Sequence, residues 1–430
     1  MDINRLYEIF LQHPVIATDS RKITPGCIFA ALKGPNFNGN QYAEAALDAG
    51  AAFAITDEQS QADDRLIPVT EVLSTLQQLA SFHRKQLGIP VLSITGSNGK
   101  TTTKELTANV LQQKYNIAFT QGNLNNHIGV PLTLLSFTKE TQIGVVEMGA
   151  NHPGEIDFLC NIASPDYGLI TNVGKAHLEG FGGFEGVIRT KSEMYRYLEK
   201  NKGTIFINGG DALLNAVAGE GLHKLTYGTS AENWLRGEPA GSPPYLTLRA
   251  WFPTGEEIIR TKLIGDYNLD NVLAAMAVGK HFGISPEQIK MGIESYVPAN
   301  NRSQLITTAT NQIIMDAYNA NPTSMKASIK NFLSLATTRK TLILGDMLEL
   351  GNYSSAEHHD IVDLVSTVSG HNVILVGREF SLTRYPGHFR VFEDALSAKT
   401  FLTETRLTNN HILVKGSRGI GLERLLDVLS

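Results

Sequence analysis

Eight consecutive residues, Thr95-Gly96-Ser97-Asn98-Gly99-Lys100-Thr101-Thr102, constrain this chain more than any others. They follow an apolar strand candidate at 91–95 and precede a helical pattern at 101–115. In that setting the glycines let backbone approach an oxyanion, and successive N–H groups at a helix start face it. Lys100 brings a point charge to terminal phosphates, and the Thr101 hydroxyl is placed for Mg²⁺. Gly96, Ser97, Asn98, Gly99 and Thr102 supply the rest of the cradle. The general phosphate-loop pattern has a glycine where Ile94 stands, so this is the shorter form, led by Gly96. A plain strand-to-helix turn is the bland alternative. The loop by itself specifies a nucleotide, not a reaction.

Strand candidates recur on both sides of it. Short β-like runs at 27–32 and 52–56 and a helix at 73–86 form a first unit, which Leu87-Gly88-Ile89-Pro90 terminates. Further apolar runs at 144–148, 167–171 and 204–208 alternate with helical stretches, which implies a parallel sheet covered on both faces. The segment 222–263, with Pro243-Pro244 and an alternating stretch at 245–250, reads as a β-rich insertion or edge; 268–282 returns to helix. Four more strand candidates, at 312–316, 341–344, 372–376 and 411–414, form another doubly wound sheet. The expected fold is α/β in three domains, with boundaries 1–86, 87–297 and 298–430, a number of domains that 430 residues accommodate.

Composition narrows the function classes. With 42% hydrophobic and 18% charged residues a large core is available and global disorder is excluded. A net charge of -5 argues against broad nucleic-acid binding, though a local pocket can differ in sign. No apolar stretch reaches the ~20 residues that span a bilayer, and Met1-Asp2-Ile3-Asn4-Arg5 opens no apolar signal segment. Cys27 and Cys160 lack metal spacing and make no disulfide framework; buried thiols in a reducing cytosol are expected. The expectation is a soluble cytoplasmic protein.

Three downstream residues carry chemistry that fits a phosphate loop. Glu147 ends a strand candidate and would hold Mg²⁺ at the sheet edge where ligands bind, or stand there as a solvated acid. His177 reads as a structural histidine or as a ligand, an unusual one for oxygen-loving Mg²⁺. Lys191, at a helix start, reads from its chemistry as an exposed surface lysine. Asn268 and Asn271, three apart on one helix face, suit either a base edge or a helix cap.

Taken in order, the loop, Glu147-Met148-Gly149-Ala150, Ile170-Thr171-Asn172-Val173-Gly174-Lys175-Ala176-His177-Leu178-Glu179 and Lys191-Ser192-Glu193 resemble the Mur ligase family, along essentially the whole chain. The resemblance implies an ATP-dependent ligase of acid and amine. It implies a small N-terminal substrate domain, a central mostly parallel P-loop ATPase sheet and a C-terminal Rossmann-like domain. It also implies that Lys191 is carbamoylated by CO₂ and, with His177, holds a second Mg²⁺, Thr101 and Glu147 serving the first. Gly265-Asp266-Tyr267-Asn268-Leu269-Asp270-Asn271 resembles the family's adenine-contacting segment, with Tyr267 replacing the usual histidine. By the same resemblance Arg302 contacts phosphates, and Asp316 and Asn319 close over the nucleotide from the third domain.

Within the family, Tyr318-Asn319-Ala320-Asn321-Pro322, Gly345-Asp346-Met347-Leu348-Glu349-Leu350-Gly351 and Lys415-Gly416-Ser417-Arg418-Gly419 resemble the branch that adds D-alanyl-D-alanine to a UDP-muramoyl-tripeptide. No Asp-Asn-Pro-Arg signature of the diaminopimelate-adding branch is present. Substrate contacts implied by resemblance are Ser20, Arg21 and Lys33 for the UDP moiety, Asn123 and Asn126 for the sugar nucleotide, and Ser417 and Arg418. Phe37-Asn38-Gly39-Asn40 departs from the family's Phe-Asp-Gly-His at the uridine end. Another amino-acid-adding ligase or a folate polyglutamate ligase on the same scaffold is the alternative. A monomer is expected, with neither a nucleic-acid partner nor a membrane insertion.

Overall fold

The computed structural model describes residues 2–58, 63–241, 244–299, 301–368 and 370–430. Met1 and Pro243, both noted in the sequence, lie outside them. Three mainly parallel sheets organise the described residues, one to each α/β domain.

The first sheet sets Ile16–Ala17, Ile28–Ala30, Phe53–Thr56 and Leu66–Pro68 side by side, all parallel. Every residue of Ile28–Ala30 is buried, the signature of a strand covered on both faces. Helix Val72–Leu87 starts where the Glu71 carboxylate accepts the Leu73 N–H at 2.9 Å. It stops at Gly88, whose φ of 61° is a left-handed cap that the glycine tolerates. Its faces pack on helix Ile3–Gln12 and on Gly129–Leu135 and Glu155–Ala163 of the central domain.

The central sheet has nine strands. Across it run Gly255–Ile264, Tyr245–Phe252, Leu235–Pro239, His223–Gly228, Thr204–Asn208, Tyr167–Ile170, Val91–Thr95, Ile143–Glu147 and Ile117–Phe119. Only the pairings of Leu235–Pro239 with Tyr245–Phe252, and of the latter with Gly255–Ile264, are antiparallel. The segment 222–263 therefore extends the central sheet to its edge at Gly255–Ile264 rather than forming a separate insertion, and the alternating burial of Tyr245–Phe252 is that of a strand covered on one face. From Val91–Thr95 the chain runs through helix Lys100–Leu111 to one sheet edge and returns by Ile143–Glu147. It then crosses to Tyr167–Ile170 on the other side. Strand order thus reverses at Val91–Thr95, and the carboxyl ends of these three strands open a crevice of the kind that binds ligands in α/β sheets.

The third sheet runs Gln304–Thr307, Gln312–Asp316, His411–Lys415, Lys340–Gly345, His371–Val376 and Arg390–Phe392, parallel except at its first pair. Its domain is closed on the central one. Tyr267 Oη meets Ser303 Oγ at 2.9 Å, and the Lys175 N–H donates to Thr323 Oγ1 at 3.1 Å. Among the described residues no helix is long and apolar enough to cross a membrane.

Candidate active site

A cavity of about 620 Å³ opens at the switch point, between the central and third domains. Ser97 to Thr102 line it together with Glu147, His177, Asn268 and Asn271, and the third domain adds Arg302, Asp316, Tyr318 and Asn319. Two glycines shape the loop. Gly96 holds φ 141°, and a Cβ there would sit 2.0 Å from Thr171 Oγ1. Gly99 holds φ 81°, and its Cβ would sit 2.3 Å from Asn271 Oδ1. Helix Lys100–Leu111 starts at Gly99 with no side-chain cap, so its first-turn N–H groups remain for an oxyanion. Lys100 Nζ donates to the Gly96 carbonyl at 2.8 Å, folded back over its own loop. Burial pushes the Lys100 ammonium below the usual lysine range; Glu147 opposes the shift and Arg302 adds to it.

Glu147 is 2% exposed, so it is no solvated acid. Its Oε1 accepts from Thr101 Oγ1 at 3.2 Å and from Asn125 Nδ2 at 2.8 Å. Its Oε2 is buried without a hydrogen-bond partner among the described residues, and Lys104 Nζ lies 3.9 Å away. An orphaned carboxylate oxygen beside a threonine hydroxyl is a donor set that suits a hard divalent cation. Among the described residues no group of three or more His, Cys, Asp and Glu side chains converges to hold a metal.

Lys191 corrects its chemical reading outright. It is 2% exposed, at the end of helix Phe184–Lys191, with Nζ 5.4 Å from the centre of the Phe181 ring. Burial, and then the charge of Lys100, hold its amine well below the usual lysine range. His177 meets the same ring edge-to-face, 6.3 Å between centroids, at a left-handed φ of 52°. Its Nδ1 meets the Glu349 carboxylate of the third domain, and that contact holds Glu349 below the usual carboxylate range. Thr101 and Glu147 are thus brought together, while His177 and Lys191 each meet Phe181.

Asn268 and Asn271 are buried, and their amides are used within the protein. Asn268 Nδ2 donates to the Ile264 carbonyl at 2.8 Å, and Asn271 Nδ2 to Asn268 Oδ1 at 2.9 Å. Thr103 Oγ1 donates to Asn271 Oδ1 at 3.0 Å. In this structure the pair buttresses the loop at Gly99. From the third domain, the Arg302 guanidinium stacks on Tyr318 at 3.6 Å, with Arg418 5.5 Å from the same ring. Asp316 is paired with buried Lys415 at 2.5 Å.

Family models match along the chain: the Mur ligase family catalytic domain at residues 14–92, the Mur ligase middle domain at 94–279 and the Mur ligase glutamate ligase domain at 301–418. A UDP-N-acetylmuramoyl-tripeptide–D-alanyl-D-alanine ligase of Bacillus subtilis is 36% identical, covering 99% of this chain and 95% of its own. The chain belongs to the Mur ligase family. Among solved members, a MurF crystal structure from Acinetobacter baumannii has a TM-score of 0.88 at 31% identity, covering 99% and 98% of the two chains. The MurF ligase of Thermotoga maritima in complex with ADP has a TM-score of 0.86 at 26% identity, covering 98% and 97%.

In this Mur ligase the remaining sequence candidates lie in different places. Asn123 and Asn126 line the main cavity. Asn123 also lines a neighbouring cavity of about 350 Å³ with Arg302, Tyr318 and Arg418. Asn126 Oδ1 accepts the Ile128 and Gly129 N–H groups and so caps a helix start. Ser417 is 2% exposed; its hydroxyl accepts the Leu348 N–H at 3.0 Å and lines neither cavity. Ser20, Arg21 and Lys33 lie in the first domain, outside both cavities. Arg21 pairs with Asp19 at 2.9 Å, and Lys33 with Asp57 at 2.8 Å and Glu58 at 3.0 Å.

Two residues that hold Glu147 were missed from sequence. Asn125 lay in the amide-rich run at 123–127, where nothing separated it from Asn123 and Asn126. Lys104, one helical turn beyond Lys100, sat among residues that read as ordinary helix.

Proposed function

We propose that this chain is an ATP-dependent ligase that adds D-alanyl-D-alanine to UDP-N-acetylmuramoyl-tripeptide, giving the pentapeptide product, ADP and phosphate. One observation carries the reading: Lys100 and Arg302 line one cavity with a glycine-shaped loop whose following helix starts with uncapped N–H groups. A polyphosphate supplies the negative charge that such donors attract. The family's full-length similarity to ligases of this substrate pair sets the acid and the amine.

The terminal carboxylate of the tripeptide attacks the γ-phosphorus of ATP, forming an acyl phosphate as ADP leaves. The amine of D-alanyl-D-alanine then attacks the acyl carbon, a proton is lost from that nitrogen, and phosphate departs. The first step brings two anions together. Lys100 and Arg302 stabilise the charge on the moving phosphoryl group, and a fixed guanidinium fork suits its oxygens. Thr101 and Glu147 would hold Mg²⁺, which neutralises phosphate charge when bound. A second ion would be held by His177 and carbamoylated Lys191. The depressed amine of Lys191 supports that modification, because CO₂ adds to a neutral nitrogen. Closure of the third domain keeps water from the acyl phosphate. Ser20, Arg21 and Lys33 in the first domain, Asn123 and Asn126 in the central domain, and Ser417 and Arg418 would meet the UDP-linked substrate and the dipeptide. Asn268, Asn271, Asp316 and Asn319 would surround the nucleotide. The same reading has the chain act as a monomer in the cytoplasm, where ATP and the UDP-linked acid are at hand.

A coupled ADP-release assay with UDP-muramoyl-tripeptides carrying diaminopimelate or lysine, with and without D-alanyl-D-alanine, tests the reading. ADP release that requires the dipeptide is expected. Release driven equally well by single amino acids would overturn the choice of amine, and release without any acceptor would point to a simple nucleotidase.

A further inference from the structure

Asn98 of the phosphate loop is tied to the third domain by a chain of two amides whose orientation is set by an unambiguous donor. Helix Pro322–Ser334 has Asn321 as its N-cap. The Ser324 backbone N–H, which can only donate, gives its hydrogen to Asn321 Oδ1 at 3.0 Å. The other end of that amide is therefore the Nδ2 donor, and it reaches Asn98 Oδ1 at 2.7 Å. Asn98 in turn has its acceptor consumed. The polar atom left over, Nδ2, is a donor, buried and without a partner among the described residues, on a residue that lines the cavity. The Asn98 backbone is held just as firmly. Its N–H donates to Asn172 Oδ1 at 3.1 Å, and its carbonyl accepts from Thr171 Oγ1 at 2.6 Å and Asn172 Nδ2 at 3.0 Å.

We infer that Asn321 is a positioning residue that acts through Asn98: when the third domain closes, Asn321 fixes the rotamer and polarity of the Asn98 amide so that its free end donates to a phosphate oxygen. The inference rests on reading the cavity as an ATP site. The physics is one of sign. An amide turned the other way would present its carbonyl oxygen to an anion, and repulsion would replace a hydrogen bond. A buried unpaired donor costs free energy until an acceptor arrives, so the closed state is paired with a bound oxyanion. The relay also gives a reason for the side-chain cap at this helix start. Pro322 has no N–H to offer, and the cap that orders the helix also polarises the loop across the domain boundary.

Asn321→Asp separates the two roles. The carboxylate keeps the cap at a helix N-terminus, where negative charge is favoured, but it has no donor for Asn98 and instead draws the Asn98 amide round to donate to it. A fall in kcat of about 10²-fold, the scale for losing one preorganised donor, is expected, with the thermal midpoint and the KM for ATP close to wild type. Asn321→Ser, which also caps but is too short to reach Asn98, is expected to lose kcat similarly. Asn98→Ala combined with Asn321→Asp should be no slower than Asn98→Ala alone, since coupled residues are not additive. Retention of wild-type kcat in both Asn321 variants, or losses that multiply in the double variant, would overturn the inference. A wild-type chain that releases no ADP would instead sink the ATP reading itself.

Discussion

Lys104 Nζ lies 3.9 Å from Glu147 Oε2, and both side chains are almost wholly buried, at 1% and 2% exposure. Lys104 also donates to the Thr120 carbonyl at 2.8 Å, while Thr120 Oγ1 accepts the Glu147 N–H at 2.9 Å. The helix that follows the phosphate loop therefore carries a fixed counter-charge beneath the carboxylate at its mouth. Coulomb attraction at that separation ties the helix to the strand end in a place that excludes water.

Removing that counter-charge leaves a buried anion alone, at a cost of about 3–5 kcal/mol. Lys104→Met is expected to lower the thermal midpoint sharply. Adding Glu147→Gln should recover part of the loss, because the unpaired charge is then gone. Urea melts of the two single variants and the double variant measure it, and equal stability of Lys104→Met and wild type would refute the pairing.

Lys191→Ala should abolish most turnover while the chain stays folded, and short carboxylic acids should restore part of it by standing in for the carbamate oxygens. In the intact chain, ¹³C-bicarbonate should give a carbamate resonance that Lys191→Ala lacks. The pH dependence follows from the lowered pKa. Above the depressed value the amine is neutral and takes up CO₂; as pH falls through that value it protonates, and carbamate and activity are lost together. Undiminished activity in Lys191→Ala removes the role.

Lys100→Ala separates chemistry from folding. Among the described residues the Lys100 ammonium bonds only to carbonyls of its own loop, at Gly96 and Ser97, so its loss should leave the melting temperature nearly unchanged. The rate should drop by several powers of ten, at ~1.4 kcal/mol for each tenfold. Steady-state ADP release read beside a melt checks both halves.

Much of this was legible in the sequence because it rests on short-range rules. The apolar runs at 91–95 and 204–208 became strands with those same bounds, since a parallel strand covered on both faces reads as a short, mostly apolar run. The two- and three-residue edge strands Ile16–Ala17, Leu66–Pro68 and Ile117–Phe119 were not legible. They hold their place by pairing with a neighbour, not by any pattern of their own. Helix 101–115 ends four residues early, at Leu111, because Gln112 onward turns toward Ile117–Phe119. In the site, the phosphate loop and Glu147 could be read because strand ends and glycines mark the crevice. Burial of Lys191 could not be read, since a lysine gives no local sign of the packing around it. The His177–Glu349 and Asn98–Asn321 contacts join residues far apart in the chain, and only the closed arrangement of domains brings them together.

The same closed arrangement contains an ion pair that a charge reversal can test. Lys175, two residues before His177, meets the Glu357 carboxylate on helix Ser354–Ser366 of the third domain. Glu357 is 5% exposed, and Lys326 Nζ approaches its other oxygen at 3.7 Å. A charge-assisted contact of this kind, half-exposed on the lysine side, is worth about 1–2 kcal/mol to closure. Lys175→Glu places two carboxylates together and should open the domains, seen as a larger radius of gyration in solution scattering and a KM for ATP raised up to about tenfold, the equivalent of ~1.4 kcal/mol. Combining it with Glu357→Lys restores opposite charges and should bring both readings back toward wild type. A charge-reversed pair that remains as open as Lys175→Glu would show that this contact accompanies closure without stabilising it.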